Sequence, residues 1–519
     1  METKSTSAAP EEAQRSSLVK IGLPVFAVLL LTALAAYWSI LNTSLAGDDY
    51  AEINRLYRIP ATELWRLFSV NAPVFIRPVP YFMYWFQYRF FGLEGLPSHL
   101  INVFLHTGSS FLLFWFLTRC GIRRLAAFMA AALFILTPLS PEAVSWSDGR
   151  FDAAVLFFIL LTICLYLVNL QSGSRLAYAG ALIAGAAAYL SKESAVILLV
   201  LIPTLELLFS IYAPDKNAID RKPADGIGPL LKNSILRVSP FFLAIAFFFI
   251  LRFPILGGIG GYTGVRQYGM PKLRAPVVTI KTMLGPLDQV ILPRATILTL
   301  AVYTGILYLA AAVMVVIRWK RATGQARRLM IFLLVFFVSS IMPVYSAFFI
   351  DGMSSYLVNS RFFYVPNLAF ITMMVVGLYA FGWRGRAWIT TVTIALALLL
   401  PVYFWGLNKN NIIWERTGAI SYQITTDLRD QLPDPPKNAI FYFQNVPVSE
   451  GAHFYANGLP QTVNMIYNRQ DIKTYYIDPD PRFRLPPPTL YSGEALDGFL
   501  FSYDWDANRL ILVRGPVRP

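Results

Sequence analysis

Apolar residues in this chain come in long runs separated by short polar stretches. They fill positions 21–41, 98–117, 125–137, 153–170, 176–190, 194–211, 240–251, 297–317, 329–349, 366–381 and 387–407, about eleven stretches in all. A tilted helix needs roughly 17 to 25 apolar residues to cross the hydrocarbon core, and it satisfies its own backbone in lipid. The third, fifth and seventh runs are short for a full crossing. The pattern predicts an all-α polytopic membrane protein.

Three blocks interrupt the runs: 42–97, 254–295 and 408–519. In the first, PATELWRLFSV places Leu64, Trp65 and Phe68 on one helical face, which suits either a helix lying in the membrane interface or a folded loop. The second is rich in glycine (Gly257, Gly258, Gly260, Gly261, Gly264), followed by Arg266, Lys272, Arg274 and Lys281. It reads as a mobile binding loop without a nucleotide fingerprint. The last continues as a helix through Trp414 and Leu428. It then turns strand-like in AIFYFQNV, KTYYI and a terminal hairpin of FLFSYD and RLILV, predicting a small α/β domain.

Lys and Arg set the orientation. Lys4, Arg15 and Lys20 precede the first run. Arg119, Arg123 and Arg124, then Arg175, the connector 212–239, the cluster Arg318 to Arg328, and Arg384 with Arg386 follow the even-numbered runs. With eleven spans these share one side. Residues 1–20 then form a cytoplasmic tail, 21–407 the membrane domain with outer loops 42–97 and 254–295, and 408–519 an extracytoplasmic domain. Tyr37 and Trp38 at the end of the first run favour a retained signal anchor over a cleaved leader.

Composition narrows this further. With 56% hydrophobic and 14% charged residues among 519, the chain cannot be a soluble domain. The formal charge of +14 is spread through loops between spans, so orientation and anionic lipid headgroups account for it, and nucleic acid is not an expected partner. Cys120 and Cys164 cannot build a disulfide framework.

Candidate chemistry begins at AGDDY, positions 46–50, just after the first run. Adjacent like charges oppose joint ionisation, so Asp48 or Asp49 can keep a raised pKa, which suits a general base near neutrality. Aspartate after Gly47 also caps helices and turns. On the same predicted face lie Arg77, His99, Glu142, Asp148, Arg150, Asp152, Lys192, Glu193 and Arg361. Charges at that depth need partners, so a structural ion-pair network is the competing reading.

Four further segments accompany the acidic pair in order: IRPVPYFMYWFQYRFFGLEGLPSHLINVFLH (76–106), LTPLSPEAVSWSDGRFDAAVLFFILLTICLYL (136–167), AAAYLSKESAVILLVLIP (186–203) and NSRFFYVPNLAF (359–370). Together they resemble the membrane half of protein O-mannosyltransferases of the transmembrane and tetratricopeptide-repeat type, within the GT-C superfamily of polyprenyl-phosphate-sugar-dependent glycosyltransferases. The resemblance covers residues 20 to 410; the tetratricopeptide repeats are missing, and the small C-terminal domain stands in their place.

The resemblance implies inverting transfer of a hexose or pentose, mannosyltransferase-like, from a polyprenyl-phosphate donor in the membrane lipid. The acceptor would be a hydroxyl of a protein, lipid or glycan on the outer face. It gives Asp49, or Asp48, the role of base. Arg361 and Lys192 would hold the departing phosphate, which needs cations rather than a proton. Arg77, His99, Asn102, His106, Asp148, Arg150, Asp152 and Glu193 would shape the substrate pocket, with Asp148, Arg150 and Asp152 as a self-paired loop or, alternatively, as contacts to the donor sugar. No cofactor is required on this reading, and a divalent metal on Asp48 and Asp49 is the variant left open. A secondary transporter, a glycan ligase using a diphosphate-linked donor and an assembly protein are the alternatives. A bacterial inner membrane is the expected location, since Arg518 and Pro519 form no retention signal.

Overall fold

The computed structural model describes residues 9–71, 74–211, 227–257, 275–346, 357, 359–447, 458–478 and 498–515. The glycine-rich expectation at Gly258, Gly260, Gly261, Gly264, Arg266, Lys272 and Arg274 lies outside the described residues.

The helices are α1 (Ala9–Ala36), α2 (Trp38–Leu41), α3 (Asp48–Leu56), α4 (Pro78–Phe91), α5 (Gly95–Arg119), α6 (Arg124–Ile135), α7 (Pro141–Val144), α8 (Arg150–Ser172) and α9 (Arg175–Tyr189). They continue with α10 (Leu198–Glu206), α11 (Ile227–Leu256), α12 (Ala275–Leu284), α13 (Arg294–Arg318), α14 (Gly324–Ser346), α15 (Tyr364–Ala380), α16 (Arg386–Gln431) and α17 (Leu459–Ile466). Among the described residues seven helices are long and apolar enough to cross a membrane, and Ile21–Ala36 and Arg124–Ile135 are shorter apolar ones. The chain is an integral membrane protein.

Two of the eleven expected runs take other forms. Run 176–190 is α9, with 15 residues. Run 194–211 breaks into a 3-10 turn at Glu193–Ile197, then α10, then a π turn at Leu207–Ile211. Pro203 sits inside this stretch and removes a backbone donor there. Apolar periodicity marks burial in protein or lipid equally, so it counts runs rather than crossings.

The outward apolar faces fit a lipid solvent: Leu243, Ile250 and Val316 stand exposed on α11 and α13. The opposite faces of α5, α6, α8, α14 and α15 share one large buried core.

The block 42–97 folds over the mouth of this bundle as α3, a 3-10 stretch at Ala61–Phe68 and α4. Within PATELWRLFSV the helix is 3-10 and kinks at Glu63; Leu67 packs inward while Trp65 and Phe68 remain exposed.

Helix α16 runs 46 residues, about 70 Å at the α-helical rise, so position 407 falls inside one continuous helix. Its C-terminal turns supply Ile420, Ile424 and Leu428 to a second core. Over them lies a sheet in the order β2-β1-β3-β4, built from β1 (Ile440–Gln444), β2 (Lys473–Asp478), β3 (Phe499–Asp504) and β4 (Arg509–Arg514). Strand β1 is parallel to β2 and β3, and β3 pairs antiparallel with β4 as the expected hairpin. Phe441, Phe443 and Phe501 point into that core, the alternation a one-sided sheet needs.

Candidate active site

Asp48 and Asp49 open α3. Gly47 precedes them at φ 54°, a backbone setting that a side chain would disfavour. The Asp49 N–H donates to the Ala46 carbonyl at 3.1 Å, and the Ala46 N–H donates to Asp49 Oδ2 at 3.0 Å. One oxygen therefore braces the turn that enters α3, while the helix itself has no side-chain cap. The other, Oδ1, is buried without a hydrogen-bond partner, in a residue only 2% exposed. Burial pushes the Asp49 carboxyl up to about 7; the Ala46 N–H opposes the rise, Asp48 adds to it, and Arg150 and the Asp148 backbone N–H offset part of it.

Asp148 joins this pair. It lies within electrostatic reach of Glu52, Asp48, Asp49 and Arg361, and its Oδ1 is also buried without a hydrogen-bond partner. The turn that carries it is tied down by Asn102, whose Nδ2 donates to the carbonyls of Val144, Trp146 and Ser147 at 3.3, 2.8 and 3.3 Å.

Arg150 follows on the same turn, fully buried. Its hydrogen bonds go to neutral groups: Gln87 Oε1 at 2.8 Å, Ser98 Oγ at 2.7 Å and Asn102 Oδ1 at 3.3 Å, with the guanidinium 4.0 Å from the Tyr84 ring centroid. Asp152 faces away and binds Lys192. The expectation of a self-paired Asp148, Arg150 and Asp152 loop is corrected: residues on one helical turn diverge, Arg150 finding its partners on α4 and α5 and Asp152 in the extended link that follows α9.

The cations are placed differently. Lys192 Nζ reaches both oxygens of Asp152 at 2.6 Å, with the pair buried. Arg361 pairs through Nη1 with Glu142 Oε1, its backbone N–H donates to Glu142 Oε2 at 2.9 Å, and Ser360 Oγ adds a bond at 3.2 Å. Both candidate phosphate ligands flank one ring, with Lys192 Nζ 5.2 Å and Arg361 Cζ 4.9 Å from the Phe362 centroid. The structure thus brings Arg361 and Lys192 together while each holds an internal carboxylate. Trp146 and Trp414 stack at 5.6 Å beside them, and Arg361 lies 5.1 Å from Trp146.

Arg77 belongs to a third group. It donates to Glu193 at 2.7 and 3.1 Å, and Arg252 donates to the same carboxylate at 2.8 Å. Burial alone would raise Glu193; the two guanidinium groups hold it down to about 2. Arg252 was not among the expected residues. A lone cation at the end of the apolar run 240–251 was the signal. Glu52, Gln87 and Ser98 were also missed, because nothing in local spacing distinguishes a buried polar residue on these helices from a surface one.

The two histidines separate. His99 Nε2 donates toward Thr43 Oγ1 and O at 3.0 and 3.2 Å, beneath the acidic pair's loop, and its Nδ1 has no hydrogen-bond partner. His106 receives the Tyr364 hydroxyl on Nδ1 at 2.7 Å and donates from Nε2 to Ile135 O at 3.1 Å. It is packed among Tyr37, Phe134 and Tyr364, so the expectation that His106 shapes the substrate pocket is corrected: it is a satisfied core residue. Among the described residues no group of three or more His, Cys, Asp or Glu side chains is placed to hold a metal ion.

No family model matches the chain. A protein O-mannosyl-transferase of Caenorhabditis elegans is 26% identical over 176 residues, which is 31% of this chain and 25% of that relative. Over that stretch the resemblance to protein O-mannosyltransferases stands. The matched stretch spans a quarter of the relative's length. Among solved structures, ArnT from Cupriavidus metallidurans bound to undecaprenyl phosphate aligns with a TM-score of 0.46 and 13% identity, over 87% of this chain and 85% of that one. The archaeal oligosaccharyltransferase AglB from Archaeoglobus fulgidus, in complex with an inhibitory peptide and a dolichol-phosphate, aligns with a TM-score of 0.45 and 13% identity, over 88% and 65%.

Proposed function

We propose that this chain is an inverting membrane glycosyltransferase that moves a sugar from a polyprenyl-phosphate donor to a hydroxyl acceptor outside the cytoplasm. The observation that carries the reading is the half-used Asp49 carboxylate. One oxygen fixes the turn, and the other is buried, free of hydrogen bonds and close to ionisation at neutral pH. A base of that pKa takes a proton without being fully neutralised at rest. The relative's name, protein O-mannosyl-transferase, supports sugar transfer to a hydroxyl.

In this reaction the acceptor oxygen attacks the anomeric carbon as its proton passes to Asp49. The bond from that carbon to the phosphate oxygen breaks with its electron pair, and the polyprenyl phosphate leaves as an anion. Arg361 and Lys192, flanking Phe362, are the cations assigned to it, the first as a planar fork and the second as a point charge. Asp148 connects the two halves, since it lies within electrostatic reach of both Asp49 and Arg361.

The test is transfer of labelled sugar from synthetic polyprenyl-phosphate donors by detergent-purified wild type and Asp49→Asn, with membrane extract as acceptor pool and thermal stability as the folding control. Donor-dependent labelling that disappears in a folded Asp49→Asn is expected. Absence of labelling with any donor, or full activity in Asp48→Asn and Asp49→Asn alike, overturns the assignment.

A further inference from the structure

The segment that carries the acidic pair is held by the C-terminal part of the chain at several separate points. Gly418 of α16 faces Thr43 and Ser44 so closely that a Cβ there would lie 2.7 Å from Thr43 Cβ and 3.1 Å from the Ser44 N and O atoms. Three residues further along the same helix, Ser421 Oγ donates to the Leu45 carbonyl at 2.6 Å. Gly458, at φ 90°, abuts Gly47 itself: a Cβ there would stand 2.1 Å from the Gly47 carbonyl oxygen. Met465 of α17 enters the cluster formed by Tyr50, Ile53 and Leu56 of α3. Gln470 Nε2 closes the far end, donating to Asn54 Oδ1 at 2.8 Å and the Tyr57 hydroxyl at 3.1 Å.

These contacts are unevenly distributed in kind. At Ser44 and Gly47 backbone meets backbone with no side chain between, an approach only glycine permits, and at Thr43 the same Gly418 lies against the threonine Cβ. Packing alone would tolerate a methyl group and a small shift; direct backbone contact does not. The contact at Gly47 falls on the residue whose left-handed backbone launches Asp48 and Asp49, so a displacement there moves both carboxylates.

We propose that the C-terminal unit, formed by the end of α16, α17 and the sheet, is a clamp on the catalytic loop, with Gly418, Ser421 and Gly458 as positioning residues for Asp49. This rests on the glycosyltransferase reading for its catalytic consequence, but the clamp itself has a readout that needs no activity. The unit acts by keeping Asp49 out of water, so loosening it exposes the carboxyl and lowers its pKa toward the ordinary carboxylate range.

The experiment uses the full chain in detergent, as wild type, Gly458→Ala, Ser421→Ala and Gln470→Ala. Carboxyl footprinting with a water-soluble carbodiimide and an amine, read by mass spectrometry, compares labelling at Asp49 with labelling at Glu193, which the clamp does not touch. Gly458→Ala is expected to raise Asp49 labelling several-fold with Glu193 unchanged. In transfer assays it is expected to lower kcat at constant donor KM and to move the lower limb of the pH profile to more acid values. Ser421→Ala is expected to do the same more weakly, and with Gln470→Ala it carries the test where Gly458→Ala fails to fold. Unchanged Asp49 labelling in the folded variants overturns the clamp. Raised labelling in a protein with no transferase activity sustains the clamp and overturns the catalytic reading instead.

Discussion

Asp49 and Glu193 are both carboxylates at the mouth of the bundle, and they keep opposite company. Glu193 receives two guanidinium groups, from Arg77 and Arg252, which hold its carboxyl down to about 2. Asp49 has the backbone N–H groups of Ala46 and Asp148, the acidic neighbours Asp48 and Asp148, and a buried Arg150 whose hydrogen bonds go to neutral oxygens. Burial therefore prevails, and its carboxyl rises to about 7. In the region around Glu193, Lys192 and Arg361 every carboxylate meets at least one cation, and Glu193 meets two. The region around Asp49 gathers the carboxylates of Asp48, Asp49, Glu52 and Asp148 close together, with Arg55 paired to Glu52. Structural ion pairs cancel charge, whereas a site that must move a proton keeps one group near its titration point. On the proposed reading, the difference separates the fold's supports from the base.

Removing the odd carboxylate should have the largest effect. Asp49→Asn keeps the turn geometry but takes no proton, and turnover should fall by about 10²–10⁴-fold with donor affinity retained. A mutant retaining more than a tenth of wild-type turnover would dissolve the contrast with Glu193. Arg361→Ala should cost about 10²–10³-fold in kcat if that guanidinium meets growing phosphate charge. A loss of thermal stability with unchanged kcat in the survivors would return Arg361 to the structural group.

The buried Lys192 and Asp152 pair offers a sharper division. Lys192→Met should destabilise by about 3–5 kcal/mol because it strands Asp152, and the double variant with Asp152→Leu should recover most of that. Denaturant titration measures the recovery, and donor binding by the refolded double variant then decides whether Lys192 also serves the phosphate.

pH separates the two regions a third way. With Asp49 raised, the folded state binds more protons than the unfolded state between about 4 and 7, so its contribution to stability is full below about 4 and is lost as pH rises to about 7. Activity should run the other way, rising about tenfold per pH unit up to about 7 and then levelling. Thermal melts of wild type against Asp49→Asn should diverge across this window; parallel melts would mean an ordinary carboxylate. The smallest effect is expected at the exposed Glu63 and Arg66 pair, where Glu63→Ala should change stability by less than about 1 kcal/mol.

Much of this was legible in the chain. Most of the apolar runs and the four C-terminal strands are local patterns that appear where the sequence placed them. The span count was less legible, since the 15 residues of α9 and the broken stretch around Pro203 read as runs like any other. The partners of the charges were not legible at all. Glu193 meets Arg77 across 116 positions, Arg361 meets Glu142 across 219, and His106 meets Tyr364 across 258.

By itself the sequence determined the solvent this protein lives in, the helices that solvent requires and the residue types available for chemistry, because hydrophobic length and backbone satisfaction act locally. Tertiary structure alone decided which carboxylate is neutralised and which is left to titrate. Proximity of charges and exclusion of water arise only when distant helices pack, and those two quantities set whether Asp49 is a helix cap or a base.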